Sequence, residues 1–118
     1  MTDLRLPDYL EHIRDAAREA MELTKGMDRS AFLADRRTQL AIIALLSIIG
    51  EATGNILRRY AEFAQAHPEI PWADMRGQRN RIAHGYFDVN FDTIWMTTYR
   101  DLPSLLEKLP SPPAESGS

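Results

Sequence analysis

The sequence contains no cysteine and no excess of positive charge, and each absence excludes a class of function. With no cysteine among 118 residues, disulfide bonds, thiolate metal sites and a cysteine nucleophile are excluded. Because the net charge is −3, the surface as a whole does not attract nucleic acid, and any such contact needs a local basic patch. A glycine-rich phosphate-binding loop is also missing from the sequence.

Long apolar segments are scarce as well. The longest run, residues 40–49, is interrupted by Ser47 and is shorter than the ~20 residues needed to cross a bilayer. The first residues lead directly into a polar amphipathic pattern, so a signal peptide is not expected. We therefore expect a cytoplasmic protein that does not associate with a membrane.

Apolar residues recur at spacings of three and four along most of the chain, which is typical of helices. The predicted helices cover about residues 7–25, 35–59, 56–66, 71–84 and 90–109. The second of these is apolar on all sides and is expected to be central and buried. The sequence therefore predicts an all-α, compact bundle of four to five helices.

Glycine and proline residues refine this prediction. Gly50 and Gly54 lie inside the central helix and indicate either close helix contact or a bend, with helix on both sides. Asn90 or Asp92 is expected to cap the last helix, and Pro103 is expected to kink it. Residues 1–109 are predicted to form one helical domain and residues 110–118, rich in proline and serine, a disordered tail.

The segment from Arg79 to Tyr86 carries groups suited to phosphodiester chemistry. Metal-free cleavage of RNA requires the 2′-hydroxyl to lose a proton, the 5′-oxygen to gain one, and the charge on phosphorus to be stabilised. His84 titrates nearest neutrality and can transfer protons, while the guanidinium of Arg79 can stabilise the charge. Asn80 lies one helical turn before His84 and can orient its ring. Arg79 and His84 are therefore the catalytic candidates, with Asn80 in support.

The spacing of these residues points to a second subunit. Five residues of a regular helix place Arg79 about 140° around the axis from His84, so one ideal helix does not bring the two together. A two-fold homodimer in which both copies of the segment line one cleft would supply the missing surface. It would also double the positive charge of Arg76 and Arg81, which are candidate RNA-binding residues, although a solvated charged face explains either one equally well.

Several segments together resemble the HepT-like toxins of the HEPN superfamily. Residues 79–88 are preceded by Asp35-Arg36-Arg37-Thr38-Gln39, by Ile48-Ile49-Gly50-Glu51-Ala52 and by Ile70-Pro71-Trp72, and they are followed by Trp95. The similarity covers residues 6–109. The resemblance implies an HEPN-like helical homodimer with metal-independent endoribonuclease activity. Arg79, Asn80 and His84 match the signature of that family.

The resemblance also implies a form of regulation. Tyr86, two residues after the histidine, matches the tyrosine to which a cognate MntA-type nucleotidyltransferase attaches AMP. This AMPylation silences the nuclease, and the two proteins form a toxin–antitoxin system. An attached AMP would place phosphate charge and a base where substrate RNA should lie. The expected partners are therefore RNA, the nucleotidyltransferase antitoxin and a second copy of the chain.

Other interpretations stay open. The chain can be a noncatalytic helical subunit that docks a separate nucleotidyltransferase, or a purely structural bundle. His84 alone is also explained as a cation at the C-terminal end of a helix. Trp72 and Trp95 lie on apolar stripes and are interpreted as core or dimer-contact residues. Because His12 and His67 have no partner at metal-binding spacing, we expect neither a metal nor a cofactor and place both at the surface.

Overall fold

The described part of the chain is helical throughout. A computed structural model describes residues 4–83 and 90–110, apart from the side chains of residues 78–83. These residues form α1 Leu6–Leu23, α2 Arg29–Leu33, α3 Arg36–Arg59, α4 Ala61–Ala66, α5 Trp72–Ala83, α6 Phe91–Met96, a π-helical segment Thr97–Asp101 and α7 Leu102–Lys108. No strand occurs within these ranges, so the predicted all-α class is confirmed.

The central helix of the fold is α3, which packs against both α1 and α5. It begins after Asp35, whose carboxylate accepts a hydrogen bond from the backbone N–H of Thr38 at 3.1 Å. By length and composition α3 could span a membrane, and 56% of its most apolar 18-residue window is buried against the rest of the protein. The helix continues without a break through the buried Gly50 and Gly54, which confirms the prediction of helix on both sides of them.

Large apolar side chains from most of the helices meet in one core. Those with less than 2 % of their surface exposed include Ile13, Phe32, Ile42, Ile56, Ile70 and Ile94. Polar groups within this core are paired: Nε2 of Gln39 on α3 donates to the carbonyl oxygens of Phe32 and Leu33, each at 3.0 Å. Gln39 thereby ties the end of α2 to α3, and no buried side-chain polar atom of the described residues lacks a partner.

The number of helices differs from the predicted four or five because short helices interrupt the connections. The sequence predicts one helix over residues 56–66, whereas α3 ends at Arg59 and α4 begins at Ala61. Between them Tyr60 adopts φ −135° and ψ 48°, outside the helical region. Its ring lies 6.5 Å from the ring of the buried Tyr9 on α1. Packing against α1 therefore ends α3 in a sequence that lacks a local helix breaker.

The C-terminal helix begins at a strong cap. Oδ1 of Asn90 accepts hydrogen bonds from the backbone N–H groups of Asp92 and Thr93, at 2.9 and 3.2 Å. Of the two predicted caps, Asn90 is therefore the correct one. From this point α6, the π-helical segment and α7 form one continuous stretch.

Pro103 accounts for the π-helical segment. In an α-helix the residue at position 103 donates its N–H to the carbonyl of Tyr99, and proline has no N–H to donate. Instead the backbone N–H of Leu102 bonds to the carbonyl of Thr97, five residues earlier, which is a π turn. Where the sequence predicts a kink at Pro103, the structure has a widened π-helical turn immediately before it, and the helix continues as α7.

The last described residues are tied to the first helix. Arg14 on α1 has 9 % of its surface exposed, and its Nη2 donates to the carbonyl oxygen of Pro110 at 2.5 Å. Leu109 beside it is buried in the core. Pro110 is the first residue of the predicted tail, and the remainder of that prediction, residues 111–118, lies outside the described residues.

Candidate active site

Helix α5 carries the first residues of the segment Arg79 to Tyr86, called the motif below, and is held in place at its own first residue. Trp72 is buried, and its indole Nε1 donates to the carbonyl oxygens of Ala64 and His67, at 3.2 and 3.1 Å. These two carbonyls belong to the end of α4 and the residue that follows it. Burial also confirms the prediction that Trp72 is a core residue, and the same holds for Trp95, which is 6 % exposed. The start of α5, and with it the direction of the helix axis, is therefore fixed by contacts with α4 and with the core.

The predicted RNA-cleaving residues fall on α5 and just beyond it. Arg79, Asn80 and Arg81 belong to the helical backbone of α5, and their side chains lie outside the described set. His84 and Tyr86 lie outside the described residues altogether. The convergence of Arg79 and His84 therefore stays a prediction, whereas the placement of Arg79 and Asn80 on one helix is observed.

Arg76 lies three residues before Arg79, and its side chain is among those that the structure describes. It is exposed on α5 and makes no ion pair with any described residue. Arg79 and Asn80 follow it by three and four positions of the helical backbone, about 4.5 and 6 Å further along the axis and within roughly one turn. The helical register therefore continues the predicted site toward the start of α5 through Arg76.

A groove of about 300 Å³ runs beside the start of α5. It lies between α5 and the stretch formed by the π-helical segment and α7, and residues of α3 and the inner side of α7 form its floor. The buried floor consists of Leu46, Ile49, Leu102 and Leu105, and the exposed rim includes Asp74, Arg100, Asp101 and Lys108. Four residues of intermediate or greater exposure complete it: Pro71, Met75, Thr97 and Ser104.

The charges around this groove are mixed in sign. Nε of Arg100 lies 3.1 Å from Oδ1 of Asp101, an exposed ion pair between neighbouring residues. Asp74 stands on the opposite wall in the first turn of α5, where a carboxylate is favoured by the helix dipole. A shallower groove, lined by Leu57 and Arg76 among others, shares Pro71 and Asp74 with the first. The two grooves form one surface along the first turns of α5.

Sequence reasoning missed this groove. The only sequence signal near the groove is Pro103. It predicts a change in the last helix but does not predict that α5 lies on the other side of the groove. A widened turn brings Arg100 and Asp101 to the groove lining, and such turns recur at functional sites in helices. Within the described ranges no group of three or more His, Asp or Glu side chains is placed to hold a metal ion.

Other residues that stood out in the sequence lie away from the motif helix. His12 is exposed on α1, as predicted. His67 is half-buried, so the prediction of a surface residue is wrong for it. Its Nδ1 lies 3.0 Å from the carbonyl oxygen of Phe63, and the two rings pack with centroids 4.3 Å apart. That packing explains the burial of His67.

The comparison with known families bears on the interpretations left open by the sequence. The model of a family described as "Ribonuclease HepT-like" matches residues 13–111, which include the whole motif. The chain belongs to the HepT-like ribonuclease family.

The relatives of this HepT-like chain support the assignment over nearly its full length. It is 43% identical over 101 residues to "Probable ribonuclease HepT" of Thermococcus cleftensis, covering 86% of this chain and 89% of the relative. A protein of Caldanaerobacter subterraneus, provisionally named an RNase, is 36% identical over 82% of this chain and 84% of its own length. A protein of Methanocaldococcus jannaschii, also provisionally named an RNase, is 32% identical over 88% of this chain and 80% of its own length. No solved structure matches the chain.

Family membership confirms the resemblance noted in the sequence and supports an endoribonuclease. It also favours an enzyme over the purely structural bundle. The all-helical fold agrees with an HEPN-like architecture.

Proposed function

We propose that this HepT-like chain is a metal-independent endoribonuclease that cleaves RNA by attack of the 2′-hydroxyl on the adjacent phosphodiester. The observation that carries the proposal is the Arg79-Asn80 pair on α5, followed by His84 in a chain whose family is that of the HepT-like ribonucleases. RNA is the proposed substrate, with Arg76 and Arg81 as further phosphate contacts.

The chemistry divides between two side chains. His84 takes the proton of the 2′-hydroxyl or returns one to the departing 5′-oxygen, and Arg79 stabilises the negative charge that builds up on the phosphorane. The 2′-oxygen forms a bond to phosphorus as the bond to the 5′-oxygen breaks. The products are a 2′,3′-cyclic phosphate and a 5′-hydroxyl. Asn80 orients one of the two reacting side chains, and no step requires a metal ion.

A second copy of the chain completes the proposed site. The outer side of α3 supports this part of the proposal, because Leu40 and Ile48 are large apolar residues with 40% and 46% of their surface exposed. Burying that side between two copies would bring the two α3 helices, on which α1 and α5 pack, to the two-fold interface. Light scattering at micromolar concentration should give twice the monomer mass, and a strictly monomeric mass would count against a shared cleft.

The proposed regulation acts through Tyr86. A cognate MntA-type nucleotidyltransferase would attach AMP to its phenol oxygen, and the added charge and bulk would exclude RNA from the site, making the two proteins a toxin–antitoxin pair in the cytoplasm. Intact-mass measurement of the chain expressed with and without that enzyme tests this. AMP increments mapped to Tyr86 are expected, and unmodified protein from active co-expression would refute the regulation without touching the nuclease.

The nuclease itself is tested with three purified variants. Arg79→Ala and His84→Ala are each expected to lower the cleavage rate of a fluorogenic RNA by about 100-fold or more, the usual contribution of a proton-transfer or charge-stabilising group. Arg18→Ala is the matched control, because Arg18 is an exposed arginine on α1. Cleavage should persist in excess EDTA. It should vanish when the nucleotide at the cut site lacks its 2′-hydroxyl.

Three results would overturn the assignment. The first is cleavage by Arg79→Ala and His84→Ala at the parent rate, in preparations free of contaminating nuclease. The second is complete loss of parent activity in EDTA with recovery on adding a divalent cation. The third is products with a 5′-phosphate, which would exclude the 2′-hydroxyl as the nucleophile.

A further inference from the structure

We propose that the groove between α5 and the π-helical segment with α7 is a base-binding subsite for a nucleotide next to the cleaved linkage, and that it prefers a base with an exocyclic amino group. This inference rests on the proposed ribonuclease function. It assigns to the groove residues a role in substrate choice that the Arg79 and His84 chemistry does not require.

The position of the groove is the first argument. Asp74 and Met75 line it from α5 and precede Arg79 on the same helix by five and four residues. At the helical rise Met75 lies about 6 Å along the axis from Arg79 and about 40° around it, within reach of a nucleotide attached to the phosphate that Arg79 would hold. Asp74 lies about 7.5 Å along the axis and about 140° around it, with Met75 between the two. An RNA strand bound at Arg79 can therefore place a neighbouring base in the groove past Met75.

The lining suits a base better than a phosphate. The floor is apolar and buried, whereas the rim carries both carboxylates and cations. Phosphate would be repelled by Asp74 and Asp101, and Arg100 is already paired with Asp101. A base has a flat apolar face for the floor, and its edge carries both donors and acceptors for a rim of mixed sign. The volume of about 300 Å³ is at the lower end of the range for small-ligand pockets.

The carboxylates in the groove lining indicate which hydrogen-bonding groups of a base the groove would bind. Asp74 and Asp101 stand on opposite walls, and as ionised groups they only accept hydrogen bonds. An exocyclic amino group, as on cytosine N4, donates to such a carboxylate, whereas uracil has a carbonyl oxygen in the same place. Lys108 at the rim can contact the sugar of the same nucleotide. Cytosine and uracil are therefore the matched pair that the groove should discriminate.

Cleavage of defined RNAs tests the preference. Substrates with a single cleavable linkage carry either cytosine or uracil at each position flanking it. The parent chain is expected to favour cytosine at one flanking position by about 5-fold or more in kcat/KM, the lower end of what one specific base contact contributes. In Asp74→Asn, whose amide can also donate, the preference should fall below about 2-fold.

Glu62→Gln is the matched control, because Glu62 is an exposed acid in the first turn of α4, as Asp74 is in α5. It loses the same charge from the same kind of position and should retain the parent's preference. An unchanged preference in Asp74→Asn, with cleavage intact, overturns the subsite and leaves the nuclease standing. The same holds if the parent discriminates at neither flanking position.

A binding measurement separates failure of the subsite from failure of the nuclease. Titration of the full chain with CMP and with UMP, followed by NMR, should perturb the amides of Ser104 and Leu105 with CMP binding more tightly. Perturbation confined to other helices refutes the groove as a base site. If CMP binds there but no preparation cleaves RNA, the proposed function fails and the groove assignment stands. If Asp74→Asn leaves nucleotide binding unchanged yet abolishes co-purification with a nucleotidyltransferase, the groove is a protein-docking surface and the subsite is refuted.

Discussion

The indole N–H of Trp72 holds the start of the motif helix, and its removal is expected to destabilise the fold by a definable amount. Trp72→Phe keeps an aromatic ring in the core and deletes the donor that reaches the carbonyl oxygens of Ala64 and His67, at 3.2 and 3.1 Å. The expected loss from the hydrogen bonds is about 1 kcal/mol in the free energy of unfolding, in addition to the packing lost with the smaller ring.

The surroundings of the two carbonyls set this magnitude. The oxygen of Ala64 also accepts from the backbone N–H of His67 at 3.1 Å, and the oxygen of His67 from that of Ile70 at 3.2 Å. Neither acceptor is left without a partner when the indole is removed. The penalty is therefore the net value of a hydrogen bond, about 0.5 to 1.5 kcal/mol, and not the larger cost of about 1 to 3 kcal/mol for a buried unsatisfied group.

Urea unfolding followed by circular dichroism measures the effect, with Trp95→Phe as the control. Trp95 is equally buried and makes ring contacts with Phe32 and Tyr99, but its indole has no hydrogen bond to the rest of the described chain. Trp72→benzothienylalanine, which keeps both rings and lacks the N–H, isolates the hydrogen-bond contribution. A stability equal to the parent's for this isosteric variant would refute the reasoning, and a loss above about 3 kcal/mol would show that the carbonyls depend on the indole alone.

Two further predictions concern helix caps. Asn90→Ala removes the acceptor for the N–H groups of Asp92 and Thr93 and should cost about 1 kcal/mol in unfolding free energy, whereas Asn90→Asp should stay within a few tenths of the parent. For Asp35, the backbone N–H of Thr38, then its hydroxyl, hold the pKa of the carboxyl below its ordinary value of 3.8. Its contribution to stability is therefore complete above that pH and is lost as the pH falls through the lower folded-state pKa. Acid titration of unfolding free energy should show Asp35→Asn losing less stability below pH 3.8 than the parent does, and parallel curves would contradict the assignment.

The parts of the fold that depend on local signals were predictable. Asp35 and Asn90 are residue types that cap helices, so the starts of α3 and α6 follow from the sequence. The apolar pattern of residues 40–49 requires burial on several sides, so the central position of α3 follows as well. The end of α3 does not, because Tyr60 leaves the helix through packing against Tyr9, a residue 51 positions away in the sequence. Contacts of that range have no local signature.

The site divides in the same way. The residue types and spacing of Arg79, Asn80 and His84 are local and indicated RNA cleavage, and the family resemblance came from these residues together with segments elsewhere in the sequence. The groove depends on the pairing of α5 with a distorted turn some 25 positions later, between Met75 and Arg100, and only the distortion at Pro103 has a sequence signal. The convergence of Arg79 with His84 is still a prediction, since a regular helix places them about 140° apart.

The hydrogen bond between Arg14 and Pro110 joins positions 96 residues apart in the chain. While the protein is being synthesised, Arg14 therefore lacks this partner until Pro110 has left the ribosome. The packing of α7 against α1, with Leu102, Leu105 and Leu109 in the core, is completed at the same late point. Ribosome-bound nascent chains that end before α7 should therefore be degraded more readily by protease than the finished chain.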